Sequence, residues 1–398
     1  MTRLIDLLLP VFPGVSIMAQ ASFRIVTILG TLCGIGYYVL CLWSSRRFLR
    51  QRAVSDMAFA PPVSILKPLS GADPQAYENL RSHCLQDYPE FEIIFGVSDP
   101  DDSAVPVVNR LITELRDRRI RLIICSQILG TNLKVSNLVQ MLPCAKHEFL
   151  LVNDSDIRVT RDYLSKVIAP FSNPAVGMVT CLYRGISGAT LGSRLEAAAI
   201  SATFCGNVLA ARQVEGGIHF GLGSTLVFSR TTLASIGGFE PLLDYLADDF
   251  ELGHRMARAG RQVWLSNVVV DHYLPDYSFW DFLRHQLRWS RSTRASRPWG
   301  YLGLVLTFGI QWAILAAIAS GGAVWGWALL AAAAGLRTML ALVLGLKVLK
   351  DRQVLRRFWL IPLSDLAALI VWIGGYTGQR VFWRGNEFIL EDGKLRPA

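Results

Sequence analysis

An α/β domain with a mixed, mostly parallel sheet, joined to transmembrane and interfacial helices, is the fold class this sequence predicts, on three observations. Between residues 60 and 273, short β-rich apolar runs alternate with stretches of helical apolar spacing, the pattern of repeated strand–helix units. On either side lie apolar stretches with few or no charges, 23–43 before it and 301–320 and 322–346 after it, long enough to cross a hydrocarbon core of roughly 30 Å. Between the domain and the second stretch, Phe279, Trp280, Leu283 and Leu287 fall on one helical face with Arg284, Arg288 and Arg291 along its edge, as in a helix lying in the membrane interface.

Composition agrees with that division. With 398 residues, 52% hydrophobic and 18% charged, the chain can fill one soluble core and several spans besides. A formal charge of +9 suits nucleic acid, anionic lipid or a phosphorylated substrate, so position must decide. The basic residues cluster beside apolar spans: Arg46, Arg47, Arg50 and Arg52, then 284–297, then 347–357. That is the distribution of cytoplasmic flanks. No stretch away from the membrane interleaves aromatic and basic residues, which excludes nucleic acid as a partner. Seven cysteines occur singly, without a CxxC pair, so neither a zinc site nor a disulfide framework is expected, and a reducing cytoplasm fits.

In chain order, an N-terminal segment (1–22) leads into a span at 23–43, with Arg24 at its edge and Ser44-Ser45-Arg46-Arg47 as a stop-transfer flank. Strands are expected at 63–66, 92–97, 121–125, 149–153, 176–183, 225–229 and 263–270, and helices at 104–117, 133–142 and 161–171. Residues 191–209 read as one Ala-rich helix with few charges, either packed in the core or laid against lipid. A Gly-rich stretch, 216–225, is a plain loop or part of an acceptor pocket. After the interfacial region (274–300), 301–320 and 322–346 form a helical hairpin, and 358–376, which contains Pro362 and Asp365, reads as a weaker span. Arg337 and Asp365 are the charges inside these spans and are expected to pair between helices. The tail (377–398) is polar and of mixed charge.

The segment carrying the most chemistry is Phe149-Leu-Leu-Val-Asn-Asp-Ser-Asp156, an apolar strand ending in two carboxylates one residue apart. Ligands in open α/β sheets sit beyond the carboxyl ends of strands. A Mg²⁺ or Mn²⁺ on a diphosphate takes one or two hard carboxylates and fills its remaining positions with phosphate and water. Asp154 and Asp156 can supply that, or can serve as caps of a turn. Asp99 ends another apolar strand and is expected at the same sheet edge, in a site or in a turn. Asp248 and Asp249 precede a helical stretch, where carboxylates also act as ordinary dipole partners. His285-Gln286-Leu287-Arg288-Trp289 sits where interfacial anchors are common, and also where an arginine would neutralise a leaving diphosphate.

Taken in order, Asp99, Asp154-Ser155-Asp156, Asp248-Asp249 and Arg288-Trp289, followed by membrane spans, resemble the D, DxD, ED and (Q/R)xxRW motifs of GT-A glycosyltransferases of families 2 and 21. Ser64-Ile-Leu-Lys-Pro68, Lys134-Val-Ser-Asn137 and Leu274-Pro-Asp-Tyr-Ser278 narrow the likeness to ceramide glucosyltransferases and bacterial relatives, among them hopanoid glycosyltransferases. His285 stands where the pattern has Gln or Arg, and Asp248 where it has Glu.

The resemblance implies an inverting transfer of a hexose, glucose or N-acetylglucosamine, from a UDP-sugar to a lipid hydroxyl. Asp99 would recognise uracil, and Asp154 with Asp156 would hold the ribose side and a divalent metal. Asp249 would be the catalytic base, and Arg288, set by Trp289, would stabilise the departing UDP. Lys67 and Lys134 are further donor-site candidates or solvated charges. The partners implied are the UDP-sugar, a membrane lipid acceptor and the bilayer, with the enzyme integral to a bacterial inner membrane and its catalytic domain cytoplasmic. Two other readings use the same sheet. A processive polysaccharide synthase needs more spans, and a membrane nucleotidyltransferase needs a Gly-rich phosphate loop that Lys67-Pro-Leu-Ser-Gly71 lacks. A transporter or inert scaffold would have few spans and few intramembrane charges here.

Overall fold

Every apolar run expected to be a strand is one in the computed structural model, which describes residues 17–51, 59–73, 75–383 and 386–397. Most of the expected N-terminal segment, and Arg52 of the first basic flank, lie outside the described residues. Eight strands form one sheet: β1 (Val63–Pro68), β2 (Phe91–Val97), β3 (Ile120–Ile124), β4 (Phe149–Val152), β5 (Ile157–Arg158), β6 (Val176–Ile186), β7 (Leu226–Ser229) and β8 (Gln262–Tyr273). Their order is β3-β2-β1-β4-β7-β6-β8-β5. The β1–β2, β1–β4, β2–β3 and β6–β8 pairs are parallel; β7 runs antiparallel between β4 and β6.

Register positions the site. Leu66 pairs with Ile94 and with Val152, so β1, β2 and β4 finish along one edge. Val152 also faces Leu226, and Ile186 faces Tyr273, so the start of β7 and the ends of β6 and β8 reach the same edge. Side chains alternate across the sheet. Leu66, Ile94, Leu150 and Val152 pack with Leu138 and Met141 on one face, while Ile65, Ile93 and Phe95 pack with Leu80, Val108 and Leu111 on the other. With both faces covered, β1, β2 and the inner residues of β4 are buried throughout, which is why they read as unbroken apolar runs.

The helical expectations shift in places. The helix Ala76–Cys84 and the short β5 were not anticipated, and 161–171 is a six-residue helix, Tyr163–Ile168, closed by a 3₁₀ turn. The Ala-rich stretch is Leu191–Ala199 and Cys205–Val214 joined by a π turn, Ile200–Phe204. A π turn frees carbonyls from the regular ladder, and Arg337 takes one of them, donating to the Ala202 carbonyl at 3.0 Å.

Among the described residues, Ile17–Arg50 and Val324–Val348 are long and apolar enough to cross a membrane. The pair Pro298–Thr307 and Gly309–Ala319, bent by 48°, makes a third if counted as one span. The first helix extends past 23–43 at both ends. It packs on Gly309–Ala319 through small residues, since a Cβ on Gly34 would lie 2.2 Å from the Gly309 Cα. Arg337 and Asp365 pair as expected, at 2.6 and 2.9 Å.

The stretch 358–376, expected as a weaker span, holds a helix shorter than the other two. Its helix, Ile361–Gly374, has 14 residues, about 21 Å at 1.5 Å per residue against a core of roughly 30 Å. One flank attaches to the α/β domain and the other to the interfacial helix. Before it, Arg357 bonds Ser187 and Gln353 Nε2 donates to the Gly185 carbonyl; after it, Arg291 holds the carbonyls of Thr377 and Arg380. The tail, expected merely to be polar, is a second sheet of three antiparallel strands, β9 (Arg380–Trp383), β10 (Asn386–Glu391) and β11 (Lys394–Pro397), seated against the α/β domain.

Candidate active site

The edge where β1, β2 and β4 end is built on a buried polar pedestal. Lys67, the penultimate residue of β1, has no exposed surface; its Nζ donates to Asn153 Oδ1 and to the Asp154 carbonyl, each at 2.9 Å. Asn153 in turn donates to His83 Nε2 at 2.7 Å, and His83 Nδ1 bonds the Asn79 carbonyl at 3.0 Å. Burial, then the neighbouring Lys67, holds His83 well below the ordinary histidine pKa, so it is neutral. Burial lowers Lys67 to about 7 against the pull of Asp156 and Asp154. Lys67, expected as a donor-site candidate or a solvated charge, has no exposed surface in this structure and is not a solvated charge. A fully buried ammonium bonded to the strand-end backbone fixes the Asn153-Asp154 turn from beneath.

Above the pedestal, Lys134 Nζ lies 2.8 Å from Asp154 Oδ1 and 3.0 Å from Asp248 Oδ2. It projects from the helix Leu133–Met141, whose N-cap Asn132 accepts from the Val135 amide. Burial disfavours its charge, but Asp154, Asp248 and Asp249 outweigh that and raise its pKa well above the usual lysine value. Asp99 is exposed at the end of β2, with Oδ1 accepting from the Asp101 amide at 2.9 Å, while the adjacent Ser98 bonds Asn137 of the Lys134 helix.

Asp249 opens the helix Asp248–Arg258 and turns back toward β4. Its Oδ2 accepts from the Gly223 amide at 2.7 Å, and the Gly223 carbonyl accepts from the Asp154 amide at 3.2 Å. A Cβ at Gly223 would lie 2.6 Å from Asp154 Oδ2 and 3.3 Å from Asp249 Oδ2. The Gly-rich stretch, expected as a plain loop or part of an acceptor pocket, is the floor on which both carboxylates meet. Burial, then Asp248, against Lys134, raises Asp249 to about 6.

Asp156 faces the other way. His272, near the end of β8, lies 3.0 Å from its Oδ2. Burial opposes both charges, but each partner outweighs it for the other, so Asp156 is held below the usual carboxylate range and His272 is raised to about 9. Tyr183 packs edge-on to His272 at 5.4 Å and against Phe204 at 5.2 Å, and Phe204 meets Trp289 at 6.1 Å. Trp289 and Arg288 lie on the helix Phe279–Ser296, capped by Ser278. Arg288 acts on the Tyr277 phenol together with Asp156, so both lie within electrostatic range of one group. Glu196 is fully buried; Gln286 Nε2 donates to its Oε1 at 2.9 Å and His285 Nδ1 approaches to 3.3 Å.

The sequence pattern of glycosyl transferase family 21 matches residues 26–396. The chain belongs to glycosyl transferase family 21. It is 25% identical over 269 residues to ceramide glucosyltransferase 3 of Caenorhabditis elegans, covering 66% of this chain and 58% of the relative. Ceramide glucosyltransferase 1 of the same organism is 23% identical over 318 residues, 75% of this chain and 65% of the relative. The chain thus spans less than two thirds of the length of these relatives. A mannosyltransferase from Pyrobaculum calidifontis, solved with GDP-Man and Mn²⁺, superposes with a TM-score of 0.54 at 20% identity, over 88% of this chain and 99% of that one. The fold is GT-A.

Asp99, Asp154, Asp156, Lys134, Asp248 and Asp249 lie at one edge of the sheet, and the helix of Arg288 and Trp289 reaches it through the Phe204 and Tyr183 rings. Among the described residues, no three His, Cys, Asp or Glu side chains form a ready-made metal cage. The donor set nevertheless fits a Mg²⁺ or Mn²⁺ that draws most ligands from a diphosphate. Asp156 Oδ1 is buried without a hydrogen-bond partner while its other oxygen is held by His272.

His272, His83 and Glu196 belong to no motif in the sequence, while Asn153 and Gly223 stand out there only as members of a longer segment. His272 follows an expected strand, Asn153 lies inside the quoted DxD segment, and Glu196 is the one acid in an Ala-rich helix. Those are weak signals that only the shared sheet edge makes legible.

Proposed function

We propose that this protein is an inverting lipid glycosyltransferase that moves a hexose, glucose or N-acetylglucosamine, from a UDP-sugar to a hydroxyl of a ceramide- or hopanoid-type lipid. The observation that carries it is the meeting of Asp249 and Asp154 over the bare backbone of Gly223, which sets a base beside a diphosphate-holding carboxylate. The ceramide glucosyltransferase relatives support the lipid acceptor.

In this reading Asp99 takes the uracil and Asp154 the ribose side of UDP, while Asp156 and Asp154 hold the metal. Bound there, Mg²⁺ or Mn²⁺ would offset the negative charge that builds on the diphosphate. Asp249 accepts the proton of the acceptor hydroxyl as that oxygen bonds to the anomeric carbon; the bond to UDP breaks on the opposite face, inverting the centre. A pKa of about 6 suits a base working near neutrality. Arg288, packed by way of Trp289, meets the charge on departing UDP. Lys134 holds Asp154 and Asp248 in place until the donor arrives, and Lys67 supports the turn from below. Arg46, Arg47 and Arg50 beside the first span favour a cytoplasmic catalytic domain in a bacterial inner membrane.

The test is purified protein incubated with a panel of UDP-sugars and total lipid extract, with mass spectrometry and anomeric analysis of the products. A β-linked hexosyl lipid from an α-linked donor is expected; retention of configuration, or no lipid product with any donor, overturns the reading. Asp156→Ala should weaken UDP binding in Mn²⁺ and abolish its sensitivity to EDTA; unchanged affinity in both conditions removes the metal role.

A further inference from the structure

The tail sheet touches three segments far apart in sequence, each of which carries part of the site. Along the outer edge of β11, the Leu395 amide donates to the Asp244 carbonyl at 2.7 Å and the Leu246 amide to the Gly393 carbonyl at 3.0 Å. Residues 244–246 therefore run beside β11 as a further strand, with Tyr245 bridged to Lys394 and the Lys394 ammonium 5.3 Å from the Tyr245 ring centre. Two residues later come Asp248 and Asp249. The second segment is 131–132. Thr131 Oγ1 donates to the Leu395 carbonyl at 3.2 Å and to Asp244 Oδ1 at 3.0 Å. Asn132, which caps the Lys134 helix, donates to the Tyr245 carbonyl at 2.8 Å.

The third segment is the last half of the Arg288-Trp289 helix. One turn past that pair, Arg291 donates to the carbonyls of Thr377, at 2.8 Å, and Arg380. Ala295 packs into a small core of Leu246, Val381, Leu390 and Leu395. That core joins the base-bearing loop, the tail sheet and the interfacial helix in one apolar cluster, separate from the cores of the α/β domain.

We infer that the C-terminal sheet is a clamp that sets the distance between the Asp248-Asp249 loop and the Arg288-Trp289 helix, with Leu395 and Arg291 as positioning residues for sugar transfer. The inference rests on the glycosyltransferase reading for its catalytic consequence, and on the contacts alone for its mechanical one. The contacts of the tail named above fall on the segments that flank the carboxylates, so its effect is on geometry; the pedestal under Asp154 is held by the hydrogen bonds of Lys67, Asn153 and His83 within the α/β domain.

The experiment uses full-length protein in detergent or nanodiscs and the variants Leu395→Asp, Arg291→Ala and Arg291→Lys. Two readouts are taken: hydrogen exchange of the peptides covering 131–141, 243–252 and 285–296, and kcat with UDP affinity. Leu395→Asp and Arg291→Ala are expected to raise exchange in 243–252 and 285–296. They should also lower kcat about 10- to 100-fold, the order that misplacing a reacting group by ~1 Å costs, with the Kd of UDP within about twofold. Arg291→Lys keeps the charge but not the two-pronged grip on the carbonyls, and should fall between. Unchanged exchange in 243–252, or full kcat in Leu395→Asp, overturns the clamp. Loss of UDP binding in step with kcat also overturns it, because the tail is then part of the general fold. If the unaltered protein transfers no sugar, the glycosyltransferase reading fails, while the exchange result still decides whether the clamp exists.

Discussion

The donor edge and the membrane-side wall of the site are built by opposite means. The donor edge is made by strand ends: Lys67 and Asn153 are held by the register of β1 and β4, and their hydrogen bonds close within the α/β domain. The membrane-side wall is made by segments that meet across long stretches of chain. Glu196 holds Gln286, Arg337 reaches both Asp365 and the π turn at Ala202, and the tail reaches the loop before Asp248. One half is thus set by the register of neighbouring strands, and the other, assembled half by how distant segments pack. In the proposed reaction the chemistry falls on the seam, at Gly223.

The largest effect expected is at the seam. Asp249→Asn should lower kcat by about 10³- to 10⁴-fold, the upper range for loss of a general base, while UDP titration shows near-unchanged affinity; substantial turnover would move the base elsewhere. In the assembled half, Arg337→Leu strands Asp365 in a buried place and should destabilise the protein by about 3–5 kcal/mol, with less cost when Asp365→Leu accompanies it. Denaturant unfolding in detergent measures both, and equal losses would mean the pair holds little together.

Gly223→Ala sharpens the comparison, because its Cβ would sit 2.6 Å from Asp154 Oδ2 and push the two halves apart. A loss of roughly 10²-fold in kcat is expected, again by steady-state assay. The smallest effect is on pH. With Asp249 at about 6, the base is ionised above that value and protonated below it, so kcat/KM should fall about tenfold per unit as pH drops below 6. Asp248→Asn removes a repelling neighbour and should move that limb to lower pH; a limb that moves upward would show that the loss of Asp248's hold on Lys134 dominates.

How much was legible in the sequence follows the same divide. A strand that is buried on both faces and ends at a ligand edge writes itself locally, as apolar residues followed at once by polar ones, so 149–156 and 92–99 could be read without neighbours. The polar tail at 377–398 could not. Its strands are short and half-exposed, and what makes them a sheet is Leu395 and Val381 packing on Leu246 and Ala295. The helix at 361–374 looked like a span because its apolar content is the same whether it crosses the bilayer or lies across other helices. Its length of 14 residues is set by the packed chain and not by that content.

By itself the sequence determined the α/β class, the order of the carboxylate motifs and the presence of apolar spans, because each is encoded in periodicity or in residues a few positions apart. Tertiary structure alone decided that Lys67 is buried beneath the Asn153-Asp154 turn, that His272 meets Asp156 and Glu196 meets Gln286, and that the tail returns to the loop before Asp248. Those facts depend on which side chains lose water together, and burial is a property of the packed chain that no short stretch of sequence carries.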